Sequence, residues 1–284
     1  MKNGKKLLSL VLVLIFTLGV LSGCSTNKDK AVFNSLDTIK KNGKIKIGVF
    51  SDKPPFGFID ENGDNQGFDV YIAKRIAKDL LGDEKALELV LVEAASRVEY
   101  LETGKVDIIL ANFTVTEERK EKVDFTNPYM KVSLGVVSKD DSLITDVSQL
   151  EGKTLIVNKG TTAETFFTEN YPNIELLKFD HNTEAFNALK DGRGDALAHD
   201  NTLLFAWAIE NDGFTTGIEA LGSLDYIAPA VSKGNTELLN WINEELTVLG
   251  KQNFIHEAYD ATLLPAYGDT VDPESVVIEG GIIE

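Results

Sequence analysis

Two hydrophobic periods alternate along this chain. Lys44 to Phe50 alternates polar with apolar and then turns wholly apolar, which predicts a first strand. Asp52 to Gly57, with two prolines, breaks it, and Glu61-Asn62-Gly63-Asp64 reads as a turn. From Asp69, taken as an N-cap, Ile72, Ile76 and Leu80 recur at helical spacing up to Gly82. Glu88 to Val92 is the next expected strand. Ser96 and Glu99 match a capping box whose helix stops at Gly104. Val106, Ile108, Ile109 and Leu110 form a short apolar run that reads as a buried strand. The chain then turns through small and hydroxylic residues into a helix from Thr116, with Glu117 and Glu118 in its first turn. Strands and helices in strict alternation, joined by short connections, imply a parallel sheet with helices on its faces.

The pattern then restarts. Strands are expected at Val132 to Ser138 and at Lys153 to Val157, the second closed by Asn158 to Glu164, where Thr161 and Glu164 fit a capping box. Ile174 to Phe179, Asp195 to Asp200 and Tyr226 to Ser232 read as further strands. Thr183 to Lys190, a segment bearing Leu203, Leu204 and Trp207, and a long stripe of Leu238, Ile242, Leu246 and Leu249 read as helices. Two α/β modules follow one another without an internal repeat.

The first 23 residues stand apart. Lys2, Lys5 and Lys6 precede an apolar run from Leu7 to Val20, too short for a typical membrane span, and Leu21-Ser22-Gly23 leads into Cys24. Residues 1–23 therefore read as a signal peptide, and the cluster resembles the lipobox of bacterial lipoproteins, in which Cys24 is lipidated and becomes the mature N-terminus. Residues 24–34, polar and lysine-rich up to Val32, read as a tether. Cys24 is the sole cysteine, so an internal disulfide and thiol catalysis in the folded part are excluded.

Charge narrows the partners. The formal net charge is −17, and −17 less the three lysines of the leader is −20. An acidic protein of this kind does not neutralise phosphates, which argues against nucleic acid. The three histidines, His181, His199 and His256, lack metal-ligand spacing, so no metal is expected. Asn158 to Thr162 lacks the leading glycine and the full spacing of a P-loop, and no Gly-x-Ser-x-Gly elbow occurs; no cofactor is expected.

Polar groups at strand C-termini remain, where open α/β sheets bind ligands. Phe50 to Phe56 and Ala111 to Arg119 follow strands of the first module; Asn158 to Thr162 and His199-Asp200 follow strands of the second. Locally, Arg119 has two readings: a salt bridge to Glu117 or Asp124, or a carboxylate receptor whose fork binds bidentately. Asp200 likewise reads as a helix N-cap or as an ammonium receptor. Held between the modules, a zwitterion would satisfy the second reading of both. Charge-assisted hydrogen bonds contribute roughly 1.5–3 kcal/mol each. Four or five, less the entropy of association, reach micromolar affinity, about −8 kcal/mol.

A family resemblance rests on Gly67-Phe68-Asp69-Val70, Thr114-Val115-Thr116-Glu117-Glu118-Arg119, Asp124 to Tyr129, Gly160-Thr161-Thr162 and Asp200. In this order and spacing, the chain from about Ser35 to Gly268 resembles the family 3 solute-binding proteins of polar amino acid ABC importers. The resemblance implies an α/β, two-lobed periplasmic-binding-protein-like fold of type II: lobe 1 from 35–130 and 226–284, lobe 2 from 131–225. Crossovers are expected near Tyr129 to Ser133 and Gly222 to Tyr226. It also implies that Arg119 holds an α-carboxylate, helped by Thr114 and the backbone at Asn112 and Thr162. Asp200 would hold the α-ammonium, assisted by Thr114 or the Ala111 carbonyl. Lys53, Phe50, Arg97, Asn158 and His199 would line the side-chain end, with Phe56 either there or in the lobe core.

For the ligand, Phe50 stands where several basic-amino-acid and glutamine binders carry an acid, which speaks against arginine, lysine and histidine. Lys53 to Gly57, Ala111 to Thr114, His199 to Trp207 and Val276 to Gly281 most closely resemble a cysteine-binding subgroup. The expectation is an exported, membrane-anchored monomer that passes a small polar amino acid, cysteine first, to an ABC permease. Cystine, aspartate, glutamate and glutamine stand as alternative ligands, a cyclohexadienyl-dehydratase-like enzyme as an alternative activity, and a surface adhesin or sensor domain as a third class. No signalling domain follows Glu284, which weighs against a fused receptor.

Overall fold

The computed structural model describes residues 33–283. The signal peptide, Cys24 and nearly all of the tether lie outside them. Among the described residues no helix is long and apolar enough to cross a membrane.

Two five-stranded sheets carry the fold. The first begins with β1 (Ile45–Val49), whose alternate residues Ile45, Ile47 and Val49 share one face and are fully buried in a core with Ile72, Ala73 and Ile76. A small antiparallel sheet of β2 (Asp52–Lys53), β3 (Gly57–Ile59) and β4 (Asn65–Gln66) follows where only a break and a turn were expected. Next come β5 (Leu87–Leu91), β6 (Ile108–Ile109) and β7 (Val123–Phe125). The second sheet takes β8 (Met130–Lys139), β9 (Thr154–Asn158), β10 (Glu175–Phe179), β11 (Ala196–Asp200) and β12 (Phe214–Ile227). The chain then returns to the first sheet as β13 (Ala230–Ser232).

The strand orders are β5-β1-β6-β13-β7 and β10-β9-β11-β8-β12. Each sheet is parallel only in its first three strands; β13 and β7 in one, β8 and β12 in the other, add antiparallel pairings. The strict βαβ pattern therefore holds for half of each sheet. Beyond it the chain leaves one sheet for the other.

Those passages correct one expected strand. Tyr226 to Ser232 is not continuous: Tyr226 and Ile227 end β12 in the second sheet, and Ala230 opens β13 in the first. Pro229 between them has no N–H to give a ladder, while its carbonyl accepts from Thr126 N–H at 2.9 Å. β12 itself is long and was not expected before Tyr226, because Gly217, Gly222 and several register shifts against β8 disrupt its alternation. At the passages Met130 pairs with Ile227, so β8 and β12 lie side by side where the chain changes sheets.

Two helix starts also differ. Gly67, at φ 115°, is the N-cap of the helix Phe68–Leu81, and Asp69 lies inside the first turn, fully buried. Gly67 sits against the Phe56 backbone, where a Cβ would collide with the Phe56 carbonyl. The capping box expected at Ser96–Glu99 is instead Glu93–Ser96, opening a single turn at Ala94–Ser96 ahead of the helix Arg97–Glu102.

The helix Thr236–Gly250 buries Leu238, Ile242, Leu246 and Leu249, the stripe legible in the sequence. After it, the helix Phe254–Thr262 packs on Phe68–Leu81, with Phe254 stacked on Tyr71. The remaining tail spans the crossover. Tyr267 Oη donates to the Thr202 carbonyl at 2.9 Å, Ile278 N–H to the Tyr129 carbonyl at 3.0 Å, and Val277 bridges Met130.

Candidate functional site

The strand β6 ends in the turn Ala111–Val115, and the helix Glu117–Lys122 starts immediately after it. Thr116 is its N-cap, its hydroxyl accepting from Arg119 N–H at 3.2 Å. This turns the Arg119 side chain back under the strand end. Its Nη1 donates to the Thr114 carbonyl at 2.6 Å and its Nη2 to the Gly160 carbonyl, in the second sheet's β9 loop, at 2.9 Å. The local salt-bridge reading does not hold: Glu117 pairs with Lys120 at 2.8 Å and Asp124 with Lys233 at 2.7 Å. Among the described residues Arg119 has no carboxylate partner, and burial lowers its pKa to about 10.

A second guanidinium lies beside it. Arg97 is only 3 % exposed and donates to the carbonyls of Ala94, Ala111, Asn112 and Gly160 at 2.9–3.1 Å. Both arginines stand against the Phe113 ring, at 4.4 Å for Arg97 and 4.7 Å for Arg119. Arg97 also stands 5.5 Å from the Phe50 ring, on which Lys53 Nζ approaches at 5.2 Å. Two aromatic rings thus link three cations, which the quadrupole of each ring face favours. Burial, and then the neighbouring Arg119 charge, push the Arg97 pKa well down from its ordinary value.

The anion of the site comes from β11. Asp200 Oδ2 accepts from Lys53 Nζ at 3.1 Å and from Asn112 Nδ2 at 2.8 Å, joining the second sheet to the first. Asp200 occupies the N-cap position of the helix Asn201–Glu210 yet makes no capping hydrogen bond with its side chain. The helix-cap reading is therefore wrong in this structure. Burial pushes the Asp200 pKa up, but the Lys53 charge and the hydrogen bonds outweigh it and hold the carboxylate well below its usual range. His199 is buried beside it; its Nδ1 accepts from Asp200 N–H at 2.7 Å, which puts the ring proton on Nε2, and burial lowers its pKa.

Asn112 holds the centre, with φ 44°, a left-handed backbone that asparagine tolerates. Its N–H donates to Asp69 Oδ2 at 2.8 Å, and Tyr129 Oη donates to Asp69 Oδ1 at 2.6 Å. Desolvation raises Asp69 to about 7. Asp69 and Tyr129 were not singled out for the site from sequence. A signal existed: Asp69 stands on the same helical face as Ile72, Ala73, Ile76 and Leu80, an acid on an apolar stripe.

The remaining expected residues divide. Asn158 is buried with its Oδ1 lacking a protein partner. Thr162 opens the helix Thr162–Asn170, so its N–H is free of intrahelical acceptors. The Thr161–Glu164 box is half as expected: Thr161 caps Glu164 N–H, but Glu164 Oε2 reaches Gly160 N–H at 2.7 Å. Thr114 and Ala111 are buried beside Arg119 and Arg97, presenting carbonyls to them. Phe56 is fully buried in the core of the first sheet as well as 5.8 Å from Lys53 Nζ, while Phe50 packs with Phe113 and Ala111. A separate groove of about 500 Å³ between Phe205, Ile209, Phe214 and Thr270 contains none of these residues. Among the described residues no group of three or more His, Cys, Asp and Glu could hold a metal ion.

The architecture and these motifs match one known family. The profile of bacterial extracellular solute-binding proteins, family 3, matches residues 45–262. The chain belongs to this family. As a family 3 solute-binding protein it is similar to the glutamine-binding protein of an ABC transporter in Bacillus subtilis, 36 % identical over 90 % of this chain and 96 % of the relative. Two solved structures share 60 % of its residues over 87 % of this chain and 100 % of theirs. One is the L-cysteine solute receptor of Neisseria gonorrhoeae, with a TM-score of 0.85; the other is the cysteine-binding protein of Campylobacter jejuni, with 0.86. The fold is accordingly the two-lobed type II arrangement, and the protein is a solute-binding protein of the amino-acid ABC importer class.

Proposed function

We propose that this protein captures L-cysteine between its two lobes and delivers it to the permease of an ABC importer. The ligand assignment is carried by 60 % identity, over 87 % of the chain, to structures of two cysteine receptors. The site's chemistry supports an amino acid. Arg119, on the first lobe, has no carboxylate partner among the described residues, and the Asp200 charge on the second acts on it. In this reading Arg119 takes the α-carboxylate with Thr114 and the free N–H of Thr162. Asp200 takes the α-ammonium, and Lys53, Phe50, Arg97, Asn158, His199 and Phe56 surround the side chain.

Lobe 1 comprises 35–130 and 226–284, and lobe 2 comprises 131–225; the paired strand ends at Met130 and Ile227 form the hinge. A ligand that contacts both lobes favours the closed arrangement by its differential affinity, and the permease reads that closure. Residues 1–23 direct export, Cys24 carries the lipid, and the protein works as an anchored monomer that binds without turning its ligand over. A Cys24→Ser variant tests the anchor: it should leave the membrane fraction.

The deciding experiment is a thermal-shift screen with the twenty amino acids and cystine, cysteine being kept reduced. Cysteine should give the largest shift. A larger shift with glutamine, glutamate, aspartate or cystine would reassign the ligand, and turnover of arogenate or prephenate would reassign the class.

A further inference from the structure

The charges enclosed at the site do not balance, and the imbalance bears on the form in which a ligand enters. Lys53, Arg97 and Arg119 are its three basic groups; burial lowers the pKa of each, and Asp200 at 3.1 Å supports the charged form of Lys53. Two carboxylates face them. Asp200 is ionised and already bonded to Lys53. Asp69 receives donors from Tyr129 and Asn112 and is pushed up to about 7, so it is only partly ionised at neutral pH. His199 is neutral, its Nδ1 taken by Asp200 N–H. Asp225, half-buried, and Glu118, exposed, act on Arg119 from the solvent side. Arg97 commits four of its donors to carbonyls, which satisfy its hydrogen bonds without neutralising its charge. A buried charge with no counter-charge is costly. A zwitterion adds one charge of each sign and leaves that cost in place.

We infer that the site takes its ligand as a net anion, and that cysteine is bound as the thiolate. The inference rests on the amino-acid-binding reading above. In that reading the ligand carboxylate lies on Arg119, its ammonium shares the Asp200 carboxylate with Lys53, and the side chain meets Lys53 and Arg97. Both cations lie within 5.5 Å of the Phe50 ring centroid, so the side-chain end is cationic and aromatic together. A thiol beside cations ionises readily, and a thiolate is large, polarisable and suited to such a wall. On binding, the S–H bond breaks, sulfur keeps the electron pair, and the proton passes to the buffer. Lys53 and Arg97 are then specificity determinants: they favour cysteine over serine, which has no comparable acid, and over arginine or lysine, which would add to the positive excess.

The test is calorimetry on the full chain at pH 7 in buffers of different protonation enthalpy, comparing cysteine with S-methylcysteine. Both share the carboxylate and ammonium, so protons exchanged by Asp69 or by the ligand amine appear in both titrations. Cysteine should release about one proton more than S-methylcysteine, and the ultraviolet absorbance of a thiolate should appear on binding. Its affinity relative to S-methylcysteine should rise about tenfold per pH unit until the free thiol titrates near 8.5. Lys53→Met should lower cysteine affinity more than S-methylcysteine affinity. Equal proton release and a pH-independent affinity ratio would overturn the inference while leaving cysteine as ligand. No binding of cysteine, with another amino acid bound, would overturn the underlying reading and the inference with it.

Discussion

Gly160 of the second lobe and Ala95 of the first are in backbone contact. A methyl group on Gly160 would lie 2.5 Å from Ala95 Cα and 2.6 Å from Ala95 N, and Gly160 has φ 72°. The same residue gives its carbonyl to Arg97 and Arg119 and its N–H to Glu164. The loop after β9 and the turn at Ala94–Ser96 thus meet bare backbone against bare backbone. Gly160→Ala should keep the lobes folded, since the left-handed penalty is about 1–2 kcal/mol, but prevent the seated contact. Ligand affinity should fall about a hundredfold or more, one or two charge-assisted bonds' worth. Calorimetry alongside small-angle scattering checks this; unchanged affinity would show that the contact is incidental.

Arg119 allows a sharper substitution than alanine. Arg119→Lys keeps the charge but loses the planar fork that reaches Thr114 and Gly160 together, and with it the proposed bidentate hold on a ligand carboxylate. Affinity should drop about ten- to a hundredfold, while the melting temperature of the empty protein changes little. Retained affinity would mean that a point charge suffices and the bidentate reading is wrong.

Asp52, on the small sheet of the first lobe, caps a helix of the second. Its Oδ2 accepts from Asn182 N–H at 2.7 Å and its Oδ1 from Asn182 Nδ2 at 3.0 Å, at the start of the helix Asn182–Lys190, whose own N-cap His181 makes no capping bond. A cap contributes about 0.5–2 kcal/mol. Because this one crosses between lobes, Asp52→Ala should weaken ligand affinity by about two- to thirtyfold without touching the ligand. If instead only the melting temperature of the empty protein falls, the cap serves the fold alone.

Asp69 makes stability depend on pH. Its pKa is raised from 3.8 to about 7 by desolvation. A folded-state pKa above the unfolded value means that the folded protein holds the proton more tightly. The contribution is therefore full below about 4 and is lost as pH rises toward 7, on the order of 4 kcal/mol in all. Asp69→Asn should flatten this part of the stability profile, read from chemical denaturation between pH 4 and about 8. An unchanged slope would place the titration elsewhere.

The parts of the site legible in the sequence were those tied to local chain geometry. Thr116 ahead of Glu117 and Glu118 marked the helix start that aims Arg119, and Asp200 at the end of an apolar strand marked a strand terminus. Asp69 was misread as a cap because a carboxylate ahead of an apolar stripe has the same local signature whether it faces solvent or, as here, Tyr129, 60 residues away. The Lys53–Asp200 pair, separated by 147 residues, left no trace in spacing.

Periodicity, short connections and strand-end chemistry by themselves determined two α/β modules, their principal helices and strands, and a candidate zwitterion receptor. These depend on neighbours within a few turns, which hydrophobic spacing records. Only the tertiary structure decided that the sheets are partly antiparallel, that Tyr226 to Ser232 divides between them, and that three cations share two phenylalanine rings. Those outcomes depend on which distant segments meet when the chain passes between sheets, and on the desolvation that follows. Burial then raises the pKa of Asp69 to about 7 and lowers that of Arg119 to about 10, shifts that sequence distance does not encode.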